Sequence, residues 1–499
     1  MTTTTDSITL IGFTSDSFGA RVLEHLERRG VKHRNLEHLG LDHARAESAL
    51  LFPRSQWHRE AWKRRLDGHE HIFGDALGKT LQPEDWMNLL VCLDRVFIDK
   101  RPVAESIGYV AALLRFASEM LTTIPAGEPL LFLATPHFTR DLAISVAARA
   151  VGHRVYVVRP SHARERVWIS ELHGTQFGNT VDLEYLETYD MQIPIGVSQA
   201  LINSKEQAQR IERDHRRGAI QIAQRNVRRL ARITNLQSFV ANQNTQPLRW
   251  PKEHYWGYLS HRAMVHLKLL ATFERRRTQA RLREHEYTGP IPRSFIYFPL
   301  HYQPERTTVP EAGIWRNQIS LARALSAYCE RSNEDLHLLV KEHPRQLVGD
   351  PRQTLMRSSD FYDTLAALPK TKLLPQHTEA SALLASARIV VTPNGSSAWE
   401  ALRHGTPSLT TAETWHSSCA ASPHANTETD IFHRLDELLV FSAGQVTSCV
   451  QDFLHQRSVL VPGVFSDEHL SSDTDRDTLA TQMADVLVDL MAYDKRRRS

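Results

Sequence analysis

Three short apolar, β-rich runs in this chain each stop at a polar cluster containing proline or glycine. Phe295–Phe298 leads into Pro299-Leu300-His301-Tyr302-Gln303-Pro304-Glu305, and Leu336–Val340 leads into Lys341-Glu342-His343-Pro344. Ile389–Val391 leads into Thr392-Pro393-Asn394-Gly395-Ser396-Ser397. Helical periodicity resumes after each. Short apolar runs of this kind, bounded by turn residues and followed by helices, read as strands of a parallel sheet buried on both faces. Such sheets bind ligands beyond the carboxyl ends of their strands. All three clusters fall at those ends, so one ligand can touch all three.

The third cluster is the most specific. Thr392–Gly395 reads as a turn in which Gly395 is free to take positive φ. Ser396 or Ser397 is then placed to cap a helix that ends near Gly405, with Pro407 beyond. A helix N-terminus flanked by hydroxyls is a ready anion site. Glu400, one turn in, has two readings: it accepts from a ribose diol, or it merely favours the positive end of the helix dipole. Pro344 holds His343 in extended geometry. That imidazole either donates to a phosphate oxygen or is a satisfied, partly buried histidine.

On these residues the C-terminal half resembles the capsule and surface polysaccharide biosynthesis proteins, a group that includes bacterial Kdo transferases. The resemblance is carried by His301-Tyr302-Gln303-Pro304-Glu305 with Thr307-Thr308, by Lys341–Pro344, and by Asn394–Ala401 with Gly405-Thr406-Pro407. The His-Pro and Ser-Ser pairs are also similar to those of bacterial sialyltransferases of GT-B fold. The resemblance implies an α/β chain of two Rossmann-like domains facing a cleft, GT-B type, with a helical insertion. It implies a glycosyltransferase that uses a nucleotide-activated sugar, with CMP-Kdo favoured. The donor phosphate then falls to His343, Ser396 and Ser397 and the ribose to Glu400. His301, Gln303, Arg306, Lys341, Asn394 and Gly395 complete the expected donor site. Arg306 is placed to offset a donor carboxylate or the leaving phosphate, or forms a surface ion pair with Glu305.

A sugar transferase also needs a group that takes the acceptor proton. In the N-terminal half, Pro129–Ala134, the turn segment Thr135–Asp141 with the helix that follows it to Val151, and Arg154–Val158 make a complete βαβ unit. His137 and Asp141 follow its first strand, and with Glu305 they are the catalytic candidates. The alternative makes Asp141 a charge at a helix start and His137 a turn residue. No nucleophile can be matched, so retention and inversion both stay open.

At 499 residues the chain has room for two or three domains. The expected division is residues 1–170 as an N-terminal Rossmann-like acceptor-side domain and 171–288 as a helical, basic insertion. Residues 289–445 form the nucleotide-sugar domain, and 446–499 a helical segment that returns to the first domain. Net charge is only +3, which argues against a general polyanion binder, and no nucleic-acid partner is expected. Gly12 and Gly19 are too sparse for a dinucleotide fingerprint. The four cysteines have no metal-type spacing and read as free thiols in a reducing compartment. Neither a metal nor a cofactor is expected, the nucleotide-sugar being the substrate.

No apolar run reaches membrane-spanning length, and the first residues do not read as a secretory signal, so a cytoplasmic place is expected. The expected partners are the nucleotide-sugar donor and a glycan or glycolipid acceptor. The arginine-rich stretch 205–233 reads as a solvated helix face, or as a contact for anionic lipid or anionic glycan. An anionic surface at the inner membrane and other capsule-assembly proteins are further candidate partners. Asp473–Asp477 reads as a helix cap rather than a metal motif, and Lys495–Arg498 as a frayed basic tail, or as one that touches membrane phosphate. Two rivals share the donor platform: a nucleotide-sugar epimerase, or a CDP-polyol phosphotransferase of teichoic-acid type. A third is a non-catalytic, polysaccharide-binding relative.

Overall fold

The computed structural model describes residues 7–13, 17–36, 81–94, 110–181, 274–303, 305–347, 357–455, 459–464, 470 and 475–498, apart from single positions and one pair within 110–181. The basic stretch 205–233, the aromatic cluster around Trp250 and the segment 45–80 lie outside them.

The described chain builds two sheets. The first contains β1 (Ser7–Ile11), β2 (Lys32–Asn35), β3 (Leu130–Phe132), β4 (Val155–Pro160), β5 (Arg166–His173), β6 (Gln176–Thr180) and β12 (Val461–Pro462). Its order is β12-β5-β4-β3-β1-β2, with β6 on β5. The β2-β1-β3-β4 part is parallel, and β5, β6 and β12 extend it antiparallel. Helices α1 (Ser17–Arg28), α2 (Pro83–Asp94) and α3 (Thr139–Ala150) accompany it, so the expected βαβ unit is β3-α3-β4. The sheet continues past residue 170, because β5 and β6 pair back onto β4. The insertion expected from 171 therefore begins with strand, and alternating segments such as Val167–Leu172 gave little sign of which sheet they join.

The second sheet is wholly parallel, with order β11-β10-β7-β8-β9. Its strands are β7 (Phe295–Pro299), β8 (His337–Lys341), β9 (Thr371–Leu374), β10 (Ile389–Thr392) and β11 (Ser408–Thr410). The crossovers are α4 (Gln318–Arg331), α5 (Ser359–Ala366), α6 (Ala380–Ser386) and α7 (Ser396–Arg403), followed by α8 (Glu428–Leu439) and α9 (Ala443–His455). β7 shows why the sequence folds this way. Ile296 and Phe298 enter the core on one face, and Phe295 and Tyr297 enter the core on the other. An apolar run filled on both faces has no solvent side to alternate with.

The last helix, α10 (Arg476–Arg496), starts where Asp475 accepts from the Asp477 and Thr478 amides, as the capping reading expected. It packs on α1, with Leu479, Met483, Leu487 and Leu490 against Phe18, Val22 and Leu26. Tyr156 donates to Asp494 at 2.8 Å from the first sheet. The basic tail is tied down rather than frayed: Arg497 donates to Glu171 at 2.6 Å, and Arg498 pairs with Asp494. Among the described residues no helix is long and apolar enough to cross a membrane.

Candidate active site

The second sheet has its switch point at β7. From β7 the chain steps through β8 to β9, then returns to the opposite side of β7 for β10 and β11. The loops after β7 and β10 therefore part, and a crevice opens between them. The three clusters read from the sequence all leave adjacent strands at this edge.

His301 closes the bottom of that crevice. Its backbone N–H donates to Gln318 Oε1 at 2.8 Å, and its Nε2 lies 2.6 Å from Thr392 Oγ1. Thr392 Oγ1 in turn accepts the Gly395 N–H at 3.1 Å. His301 thus staples the β7 loop to the turn before α7.

That turn differs from expectation. Gly395 is the N-cap, with φ −73° and ψ 157°, and no side chain caps α7. The glycine is required by space, not by positive φ. A Cβ there would lie 2.8 Å from Thr392 Oγ1 and 3.0 Å from His301 Nε2. Ser396 is the first helical residue and donates to Glu400 Oε1 at 3.0 Å, so these two expected phosphate and ribose ligands meet each other in this structure. Ser397 lies beside them in the first turn, half-buried. Gly405 ends the helix region with φ +75°, as the C-cap reading expected.

His343 ends the β8 cluster. Its Nδ1 accepts the Arg345 N–H at 3.1 Å, which places the proton of the neutral ring on Nε2 and makes that atom a donor. Its carbonyl accepts from Gln376 at 3.2 Å, which ties the β8 and β9 loops together. Burial, reinforced by Arg345, pulls His343 down to about 3. Burial pulls His301 to about 4 against the opposing pull of Glu311. Lys341 is buried at the strand end, where its carbonyl accepts the Leu300 N–H at 2.9 Å.

These two histidines set a pH dependence. Unfolded, each takes a proton as pH falls through about 6.5, while folded each resists until well below that. Stability is therefore complete above about pH 6.5 and falls as pH drops towards 4, by up to about 1.4 kcal/mol per pH unit for each ring. Urea unfolding between pH 7.5 and 5.0 is expected to show this loss, with a shallower slope in His343→Gln. Equal slopes in the two proteins would assign the titration elsewhere.

A buried network that sequence reading missed holds the two loops together. Arg357, with no exposure, donates through Nε to Glu342 Oε2 at 2.8 Å, through Nη1 to Gln303 Oε1 at 2.6 Å and through Nη2 to the His301 carbonyl at 2.9 Å. Tyr362 donates to the same Glu342 oxygen at 2.7 Å. Gln346 and Gln303 exchange two further bonds, of 2.8 and 3.2 Å. The Gln303 side chain thus serves the loop's own framework.

The second missed group is Glu311, 6% exposed, at the end of the turn that follows Glu305. Its Oε1 accepts from Thr135 at 2.5 Å and its Oε2 from Asn394 at 2.8 Å, with Arg159 Nη2 3.8 Å from Oε2. Thr135 and Arg159 follow or end β3 and β4, so the carboxyl-end edges of the two sheets meet on this carboxylate. Burial alone would raise the Glu311 carboxyl, but Arg159 and Arg306 outweigh it and hold the group below its ordinary value. Arg159 also stacks over Trp168 at 4.2 Å and donates to the Glu413 carbonyl at 3.2 Å.

Of the catalytic candidates, His137 lies nearest this junction. Its Nδ1 is 2.8 Å from the Thr135 carbonyl, and donation there leaves Nε2 as the acceptor. It also interacts electrostatically with Glu311. Asp141 is half-buried in the first turn of α3. Glu305 is exposed and accepts from Thr307 at 2.9 Å. The structure thus brings His301, Gln303, Asn394, Gly395, Arg306 and His137 to one junction through Glu311 and Arg357. Glu305 stands at its outer rim.

Two Rossmann-like α/β domains, joined at their strand ends beside a helix N-terminus and a neutral strand-end histidine, define a chain of GT-B type. Residues 217–422 match the family described as "Capsule polysaccharide biosynthesis protein", and this segment contains all three strand-end clusters. No curated protein matches the chain. Solved structures give similarity at low identity. The beta Kdo 2,7 transferase KpsC of Thermosulfurimonas dismutans is 9% identical, with 68% of this chain and 89% of that chain covered and a TM-score of 0.26. The UDP-GlcNAc 2-epimerase of Methanocaldococcus jannaschii, in complex with UDP-GlcNAc and UDP, is 11% identical, with 90% and 98% covered and a TM-score of 0.26. Likenesses of this size do not bear on activity.

Proposed function

We propose that this chain is a glycosyltransferase of capsular or surface polysaccharide synthesis. It takes a sugar from a nucleotide-activated donor, a CMP-linked acidic sugar such as Kdo being the first choice, and passes it to a glycan or glycolipid. What supports the reading is the topology, which sets the α7 N-terminus and His343 at the carboxyl ends of β10 and β8, on either side of the switch-point strand β7, with an Nε2–H donor on the neutral ring. Oriented N–H groups of this kind stabilise charge as it develops on a leaving phosphate and need little reorganisation to do so. Ser396 and Ser397 add hydroxyls at the same place, and Glu400 turns from Ser396 to the ribose. Arg306 offsets the donor carboxylate. His137, in the tautomer with its lone pair on Nε2, takes the acceptor proton, and the Glu311 charge favours the imidazolium that results. Asp141 and Glu305 are the alternatives for that step. The reading needs neither a metal nor a cofactor, because protein donors supply the phosphate contacts.

Thermal unfolding with CMP, CDP, UDP, GDP and ADP tests it. CMP at a hundred times its Kd is expected to stabilise the folded chain by about 2.7 kcal/mol. His343→Ala is expected to weaken that binding about tenfold or more, the range of a hydrogen bond to a charged group. Preference for UDP or GDP would remove the CMP-sugar, and silence with every nucleotide would remove the transferase. Product analysis separates an epimerase, which turns over with no acceptor.

A further inference from the structure

We propose that Glu311 is a positioning residue that couples the two halves of the site, fixing the turn before α7 to the strand ends of the N-terminal sheet. Its coupling role stands on the geometry, while its effect on turnover rests on the transferase reading. One carboxylate serves three elements. Thr135, in the loop after β3, donates to Oε1, Asn394 in the turn before α7 donates to Oε2, and Arg159 at the end of β4 approaches Oε2.

The chemistry suits a junction rather than a reacting group. Both oxygens of Glu311 are already satisfied by protein donors, and Arg159 and Arg306 keep the group ionised, so it is a poor proton acceptor. Its partners, by contrast, are the neighbours of the reacting groups. Asn394 precedes Gly395 and the first turn of α7, and the Thr135 carbonyl sets the tautomer of His137. A shift of the carboxylate therefore moves the leaving-group end and the proton-accepting end relative to each other. Misplacement of about 1 Å is enough to cost roughly a hundredfold in rate. Arg159 keeps the Glu413 carbonyl and the Trp168 face when the charge is removed, so the isosteric Glu311→Gln is the suitable variant.

The experiment combines amide hydrogen exchange with steady-state kinetics on the full chain. In Glu311→Gln, exchange is expected to rise about tenfold or more in 135–141 and in 392–398 together, the loss of a charged hydrogen bond being read as easier local opening. With CMP-sugar and acceptor, kcat per folded molecule is expected to fall about a hundredfold while the donor KM changes less than about threefold. A rise confined to 305–313 would overturn the coupling, and so would an unchanged kcat with both segments loosened. If Glu311→Gln does not fold, Thr135→Val removes one arm only and is read for the same paired exchange. If the wild type transfers no sugar, the transferase reading fails, and the exchange pattern alone decides the coupling.

Discussion

Arg357→Ala is expected to lower folding stability by about 3–5 kcal/mol, the loss usual when one partner of a buried ion pair is removed. The reason is what remains. Glu342 is 2% exposed, and without the guanidinium its carboxylate keeps only the Tyr362 hydroxyl and the His343 amide. Gln303 Oε1 loses its Arg357 donor in the same step, and the His301 carbonyl keeps only the longer Gln318 Nε2 bond of 3.3 Å. A double variant, Arg357→Met with Glu342→Gln, removes both charges and is expected to recover much of the loss, because a buried pair replaced as a unit costs far less than one broken in half. Urea unfolding of wild type, single and double variants measures both quantities. A single variant within about 1 kcal/mol of wild type would mean that Glu342 regains water and that the network does not hold the two loops.

Gly395→Ala is expected to silence the site while the fold survives. The added methyl meets Thr392 Oγ1 and His301 Nε2, and neither can swing away cheaply because they bond each other at 2.6 Å. Overpacking of this kind costs about 1–3 kcal/mol and displaces backbone. Here the displaced backbone is the N-terminus of α7. Nucleotide stabilisation is expected to disappear at concentrations that saturate the wild type. Gly444→Ala is the matched control, since its Cβ would meet nothing within 4 Å at the start of α9. Its unfolding midpoint and nucleotide response are expected to match or exceed those of wild type. Full nucleotide binding by Gly395→Ala would remove α7 from the site.

How much of this was legible in the chain follows from the range of the forces involved. The strands β7, β8 and β10 were readable because burial on both faces leaves an uninterrupted apolar run, and the turns after them because proline and glycine restrict the backbone locally. The short strands β9 and β11 were not. Neither Thr371-Lys372-Leu373-Leu374 nor Ser408-Leu409-Thr410 has the uninterrupted apolar run of β10, and only pairing with β8 and β10 makes them strands. The same holds for β5, β6 and β12, whose membership in the first sheet depends on long-range antiparallel pairing.

The site divides along the same line. Residue type and local spacing marked His301, His343, Asn394, Gly395 and Glu400 as a set, and the parallel sheet places their strand ends together. Sequence could not show that Ser396 would turn to Glu400, or that the His301 ring would be bonded to Thr392 inside the protein. Nor did it single out Glu311 or Arg357. Glu311 stands in a loop among other charged residues, and Arg357 follows β8 by a stretch with no motif. Their importance comes from burial, which raises the cost of an unpaired charge and so makes each partner count. The sequence by itself determined the strands β7, β8 and β10 and the polar clusters that follow them, because those depend on residues near one another in the chain. The tertiary structure alone decided which charges are buried and which groups from distant segments satisfy them, because desolvation is set by the whole surrounding fold.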